Sequence, residues 1–159
     1  MRETMSALLK DRIDAFNAHD PEAFAKLYAP DVIFRDIATS VPAHGRPVVR
    51  TWVETYFRAF HDARMEARVA ACEGEVLVYE WHATGTHDGD FMGSPATGLH
   101  IEVDGCSIAR LGEDGLVHVE TNYWDVAGML QQMGALPTAT QDIPREAPID
   151  TVRDRKSVV

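Results

Sequence analysis

Thr86-His87-Asp88-Gly89-Asp90-Phe91-Met92-Gly93-Ser94-Pro95-Ala96-Thr97-Gly98 separates two β-rich runs of the chain. Glycine, aspartate, serine and proline at this density mark a loop rather than a core segment. The same loop carries a histidine, two carboxylates and two large apolar side chains, Phe91 and Met92. That mixture suits the rim or lid of a pocket standing on a rigid frame. The fold therefore turns on what frame the flanking segments build.

Upstream, Met65, Ala67, Val69 and Ala71 alternate with Arg64, Glu66 and Arg68, and Glu73-Gly74 turns the chain into a second strand over residues 75–87. Downstream, Ile101, Val103, Gly105, Ser107 and Ala109 share one face, and Gly112-Glu113-Asp114-Gly115 reads as a hairpin turn. In the last strand, residues 116–124, Val117, Val119, Thr121 and Tyr123 fall in line with Asp125. Helices come earlier. Residues 5–17 place Leu9, Ile13 and Phe16 on one stripe. Asp20-Pro21 opens a short helix that runs through Tyr28 and is closed by Pro30. After a strand over residues 32–36, with Val32, Phe34 and Asp36 on one face, Pro47 opens a third helix. Its broad apolar face holds Val49, Trp52 or Val53, Tyr56 and Phe60. A short helix over 126–133 ends at Gly134, with Pro137 beyond. Helices first and antiparallel strands later predict an α+β domain, helices closing over one face of a strongly curved sheet and leaving a cavity. Residues 1–136 form that domain. Residues 137–159 lack periodicity and are expected to be a poorly ordered or subunit-crossing tail.

Composition narrows the function. The 159 residues are one domain of ordinary size, 45% hydrophobic, with a formal charge of -10. This acidity argues against nucleic acid or an anionic membrane as partner. Cys72 and Cys106 match no metal spacing and are expected to be buried free thiols. No His-x-x-x-His pattern or close Cys–His pair suggests a metal site. No run resembles a signal peptide or a membrane span, so a cytoplasmic location is expected.

The run Thr86-His87-x-Gly89-x-Phe91-x-Gly93-x-Pro95-x-Thr97-Gly98 resembles the hallmark of SnoaL-like proteins. These are the polyketide-cyclase and ester-cyclase branch of the nuclear-transport-factor-2-like superfamily. Phe16-Asn17-Ala18-His19-Asp20, Tyr28-Ala29-Pro30-Asp31-Val32-Ile33-Phe34-Arg35-Asp36, Gly105-Cys106-Ser107-Ile108 and Tyr123-Trp124-Asp125-Val126-Ala127-Gly128-Met129-Leu130 agree with it in order, over about residues 5 to 136. The resemblance implies a cone-shaped α+β barrel, a strongly curved antiparallel sheet wrapped on helices. It also implies a homodimer through the outer sheet face, and aldol-type ring closure that needs no metal or other cofactor.

Two aspartates compete for the role of base. Asp36 sits among apolar side chains in a segment resembling the one that carries the catalytic aspartate of ketosteroid isomerase. Burial there disfavours the charged form and would poise it as a base; the competing reading is an aspartate at a strand end bonded to loop amides. Asp125 stands where the resemblance puts the acid/base of SnoaL-type cyclases, and also where the N-cap of the last helix belongs. His87 is a proton-transfer partner, a substrate hydrogen bond or a pin for the loop. His82 has the opposite strand parity. The ketosteroid isomerase oxyanion donors fall by resemblance near Ser107 and Arg12, and neither residue type is retained. Phe16, Tyr28, Phe34, Trp52, Tyr56, His82, Phe91, Met92, Ser107 and Tyr123 are the candidate substrate-binding residues. The leading expectation is a cofactor-independent cyclase or isomerase acting by general acid–base catalysis on a small hydrophobic carbonyl compound, polyketide- or terpenoid-like. Its rivals are an epoxide-opening or dehydrating enzyme, which would want an Asp–Arg–Asp relay from Asp36, Arg35 and Asp125, and a binding protein without turnover.

Overall fold

The computed structural model describes residues 2–38 and 42–137. Of the tail expected over residues 137–159, everything from 138 onward lies outside the described residues. The elements are α1 (Arg2–Asn17), α2 (Pro21–Lys26), β1 (Tyr28–Asp36), β2 (Ala43–His44), α3 (Arg46–Ala59), β3 (Arg64–Glu73), β4 (Val76–Thr86), β5 (His100–Leu111), β6 (Val117–Trp124) and α4 (Val126–Gln132). Among these, no helix is long and apolar enough to cross a membrane.

The strands form one curved, unclosed sheet in the order β2-β1-β6-β5-β4-β3. The expected α+β architecture holds, with one correction: the sheet is mixed, because β1 and β6 run parallel. The second helix also stops earlier than its pattern predicts. Tyr28 already belongs to β1, and Pro30 lies inside that strand. A register shift between Tyr28 and Ile33 absorbs the proline, which has no N–H to give the ladder.

Alternation along β4 and β5 sends Leu77, Tyr79, Trp81, Ile101, Val103, Ser107 and Ala109 to the buried face. Trp81 pairs with Gly105 across the two strands. A Cβ at position 105 would stand 2.1 Å from the indole. Glycine there lets the ring lie over the neighbouring strand, where Trp81 Nε1 donates to Ser107 Oγ at 3.0 Å. β6 departs from expectation. A register irregularity at Arg110/Leu111 resets its parity, so Glu120 and Asn122 turn inward and Tyr123 turns outward, 47% exposed.

The inward polar residues meet a charge from α1. Met5, Leu9, Arg12 and Phe16 form the buried stripe of that helix, while Ile13 is only half-buried. Arg12 donates to both oxygens of Glu120, each at 2.9 Å, and to the Tyr28 hydroxyl, which itself donates to Glu120. Ser107 Oγ donates in turn to Asn122 Oδ1. The two cysteines are free and half-buried. Removing one member of a buried ion pair leaves the other charged and desolvated, so Arg12→Ala should cost about 3–5 kcal/mol in urea denaturation. The double change Arg12→Met/Glu120→Leu should recover most of that loss. A single change that costs under about 1 kcal/mol would contradict this role for the pair.

Candidate active site

Asp36 ends β1 on the inward parity shared with Val32 and Phe34, and is 6% exposed. Trp52, on the second turn of α3, donates its indole N–H to Asp36 Oδ2 at 2.9 Å. Trp124, at the end of β6, donates to Oδ1 at 2.9 Å, and the Ala38 N–H adds a third bond at 3.0 Å. Parallel pairing of β1 with β6 puts Asp36 beside Asn122 and so brings Trp124 within reach. Phe34 stays buried behind this arrangement, its ring 5.3 Å from that of Trp52. Donors from α3, from β6 and from the backbone just after β1 thus fix the orientation of the carboxylate.

In front of Asp36 lies a cleft of about 440 Å³. Trp52, Tyr56, Phe91, Met92 and Trp124 line it, with Pro47, Val48, Thr51 and Thr55 along its α3 side. Burial, and secondarily the negative charge of Asp36, push the Tyr56 phenol well above its ordinary pKa. Tyr56 is therefore a proton-bearing donor beside a carboxylate. Inside the cone only about 30 Å³ remains, walled by Phe16, Phe60, Met65, Trp81, Ile101 and Met129 and separated from the cleft by Trp52 and Tyr56. Ligand-sized space thus lies at the mouth of the cone rather than in its depth.

A family model described as SnoaL-like polyketide cyclase matches residues 7–133. The chain belongs to the SnoaL-like polyketide cyclase family. Membership supports a cyclase-type function in general terms. Among solved structures it is similar to IdmH from Streptomyces antibioticus, a candidate polyketide cyclase, at 25% identity over 82% of this chain and 98% of that one, with a TM-score of 0.70. TsrD from Streptomyces laurentii matches at 24% identity over 86% and 98%, with a TM-score of 0.76. AclR from Streptomyces galilaeus, a candidate hydroxylase, matches at 23% identity over 86% and 85%, with a TM-score of 0.75. The fold they share is that of nuclear-transport-factor-2-like proteins. No curated protein matches the sequence significantly.

In this SnoaL-like protein the remaining candidates scatter. Asp125 is exposed and caps α4, its Oδ1 accepting from the Gly128 N–H at 2.8 Å. His87 is fully buried at the root of the loop; its Nδ1 meets Thr97 Oγ1 at 2.9 Å, and its carbonyl accepts from the N–H groups of Thr97 and Gly98. Tyr28 and Ser107 are buried in the polar network, and Phe16 walls the inner cavity. His82 and Tyr123 are on the outer sheet face, where His82 Nδ1 lies 2.9 Å from Asp104 Oδ1. Arg35 is exposed, so Asp36, Arg35 and Asp125 do not converge as a relay. Among the described residues, no group of three or more His, Cys, Asp or Glu side chains is placed to hold a metal ion. Trp124 escapes the sequence pattern, because the alternation of Val117, Val119, Thr121 and Tyr123 points the opposite parity of its strand inward. The available signal was Arg12 on an apolar helix stripe, which demands an acid such as Glu120 facing inward.

Trp124→Phe removes one donor from a nearly buried carboxylate and keeps most of the ring. It should cost about 1.5–3 kcal/mol in urea denaturation, the contribution of a hydrogen bond to a charged group. No measurable loss would show that the indole N–H does not hold Asp36.

Proposed function

We propose that this protein is a cyclase or isomerase acting by general acid–base catalysis on a hydrophobic carbonyl compound, polyketide- or terpenoid-like, with Asp36 as the proton-transfer group. The observation that carries the reading is a carboxylate, aimed by two indoles, at the wall of a cleft whose other described lining residues are uncharged and mostly apolar. Asp36 takes the proton from a carbon next to the substrate carbonyl, and the C–H electron pair moves toward the carbonyl oxygen. Tyr56 donates a hydrogen bond to that oxygen as charge develops on it. In ring closure the enolate carbon attacks a second carbonyl of the same molecule, and the new alkoxide takes up the proton that Asp36 holds. In isomerisation the proton returns to a different carbon. Neither route needs an oxidant or a reductant.

2-Tetralone, a bicyclic ketone with acidic C1 hydrogens, supplies a test without the natural substrate. In D2O the wild type should accelerate hydrogen–deuterium exchange at C1 above the buffer rate, followed by NMR. Asp36→Asn should lower that acceleration by about 100- to 10,000-fold. Tyr56→Phe should lower it by up to about 100- to 1,000-fold, the loss expected for one oxyanion donor. Asp125→Asn should preserve both exchange and the helix cap. If Asp125→Asn abolishes exchange and Asp36→Asn does not, the base is at the head of α4 and this assignment falls.

The same reading extends to a homodimer through the outer sheet face. Support comes from the half-buried Val78 and Ile108 and the exposed Tyr123 on that face. Light scattering at micromolar concentration should give twice the 17.6 kDa chain mass, and a particle of 17.6 kDa would refute the dimer.

A further inference from the structure

Phe91 and Ser94 exchange two backbone hydrogen bonds of 2.9 Å around Met92 and Gly93. The two central residues have φ angles of +49° and +79°. Positive φ at both is the mark of a type I′ turn, whose preferred pairs are Asn-Gly, Asp-Gly and Gly-Gly. Gly93 accepts this conformation freely. Met92 does not, because its Cβ crowds the following carbonyl oxygen. Among the described residues, His19 is the other non-glycine with positive φ, and its ring is engaged inside the protein: it stacks on Phe57 at 4.5 Å and bonds to the Ala63 carbonyl. The Met92 side chain is instead 49% exposed and lines the Asp36 cleft.

The turn stands on a fixed stem. The N–H groups of Asp88 and Gly89 both donate to the Ala59 carbonyl at 3.1 Å. Phe91 anchors the tip, its ring 5.0 Å from that of Tyr56 and 5.4 Å from that of Phe60. A disfavoured backbone conformation kept at a cleft, and carrying an exposed apolar side chain, points to a function for that side chain.

We infer that Met92 determines specificity in this cleft, its thioether folding over the ligand and selecting flat, uncharged carbonyl compounds of two or three fused rings. The inference rests on the Asp36 cleft being the reactive site. A thioether makes favourable contacts with aromatic rings and adapts its shape to them. The indoles of Trp52 and Trp124 and the ring of Phe91 offer planar walls, and among the described residues Asp36 is the charged one in the lining, which disfavours anions. The volume of about 440 Å³ falls in the lower part of the range for small-molecule pockets.

An asparagine at 92 suits the turn better than methionine and suits an apolar ligand worse. Stability and affinity should therefore move in opposite directions, which a merely structural role would not produce. The probe is 2-tetralone, titrated into 15N-labelled protein. The indole N–H signals of Trp52 and Trp124 report the cleft, and that of Trp81 is the internal control. Met92→Asn should weaken binding by about five- to tenfold, the affinity carried by roughly half a methionine side chain, while its Tm stays level or rises. Met92→Leu keeps the apolar bulk and should bind within about twofold of wild type. Wild-type affinity in Met92→Asn, a lowered Tm in that variant, or no saturable binding by wild type would each overturn the inference. Exchange at C1 reads the underlying mechanism separately. Exchange with an unchanged Met92→Asn affinity sinks the role of Met92 alone. A changed affinity without any wild-type exchange sinks the acid–base reading alone.

Discussion

A guanidinium and a carboxylate, both withdrawn from water, decide what the rest of the cone can be. Desolvating Arg12 and Glu120 is costly, and two bonds of 2.9 Å, with the Tyr28 hydroxyl joining them, offset the cost. The rings of Phe24 and Tyr79 lie 4.7 and 5.3 Å from the guanidinium and add cation–π attraction. The pair fastens α1 across the sheet to β6. Beside it, Trp81, Ser107 and Asn122 bond in series. The deep half of the cone is thus filled by the protein's own polar groups, and little room is left inside it.

Space for a ligand is displaced to the mouth, where the end of β1, the end of β6, α3 and the 87–99 loop converge. The aromatic rings along α3 link core to cleft. Phe34, Trp52, Tyr56 and Phe91 follow one another at centroid distances of 5.0 to 5.3 Å. Asp36 is the carboxylate among the described residues of this lining, and indoles from two separate elements aim it. A carboxylate oriented by neutral donors beside a protonated phenol has the makings of acid–base chemistry at carbon.

Much was legible in local residue patterns. Period-two alternation in β4 and β5 put Trp81 and His87 inward and His82 outward, because side-chain parity in a regular strand is a local property. Asp20-Pro21 marked the start of α2, and Asp125 marked that of α4, because a cap bonds to an amide only three residues away. Parity failed in β6, where a register irregularity reversed the facing of Glu120, Asn122 and Trp124. It failed again at Tyr28, which continues a helical stripe but is taken into the sheet by pairing with Val117.

The sequence alone determined the α+β class, the turn-rich loop between β4 and β5 and Asp36 as a carboxylate on an apolar face. All of these follow from periodicity, turn chemistry and charge within a few residues. Only the tertiary structure decided that Asp36 lies in the cleft while Asp125 stands exposed outside it, and that the cone is filled at its deep end and open at its mouth. Those outcomes depend on which strands pair, in which direction and in which register. Parallel pairing of β1 with β6 brings together Asp36 and Trp124, 88 residues apart in the chain, and no local pattern encodes a contact across that distance.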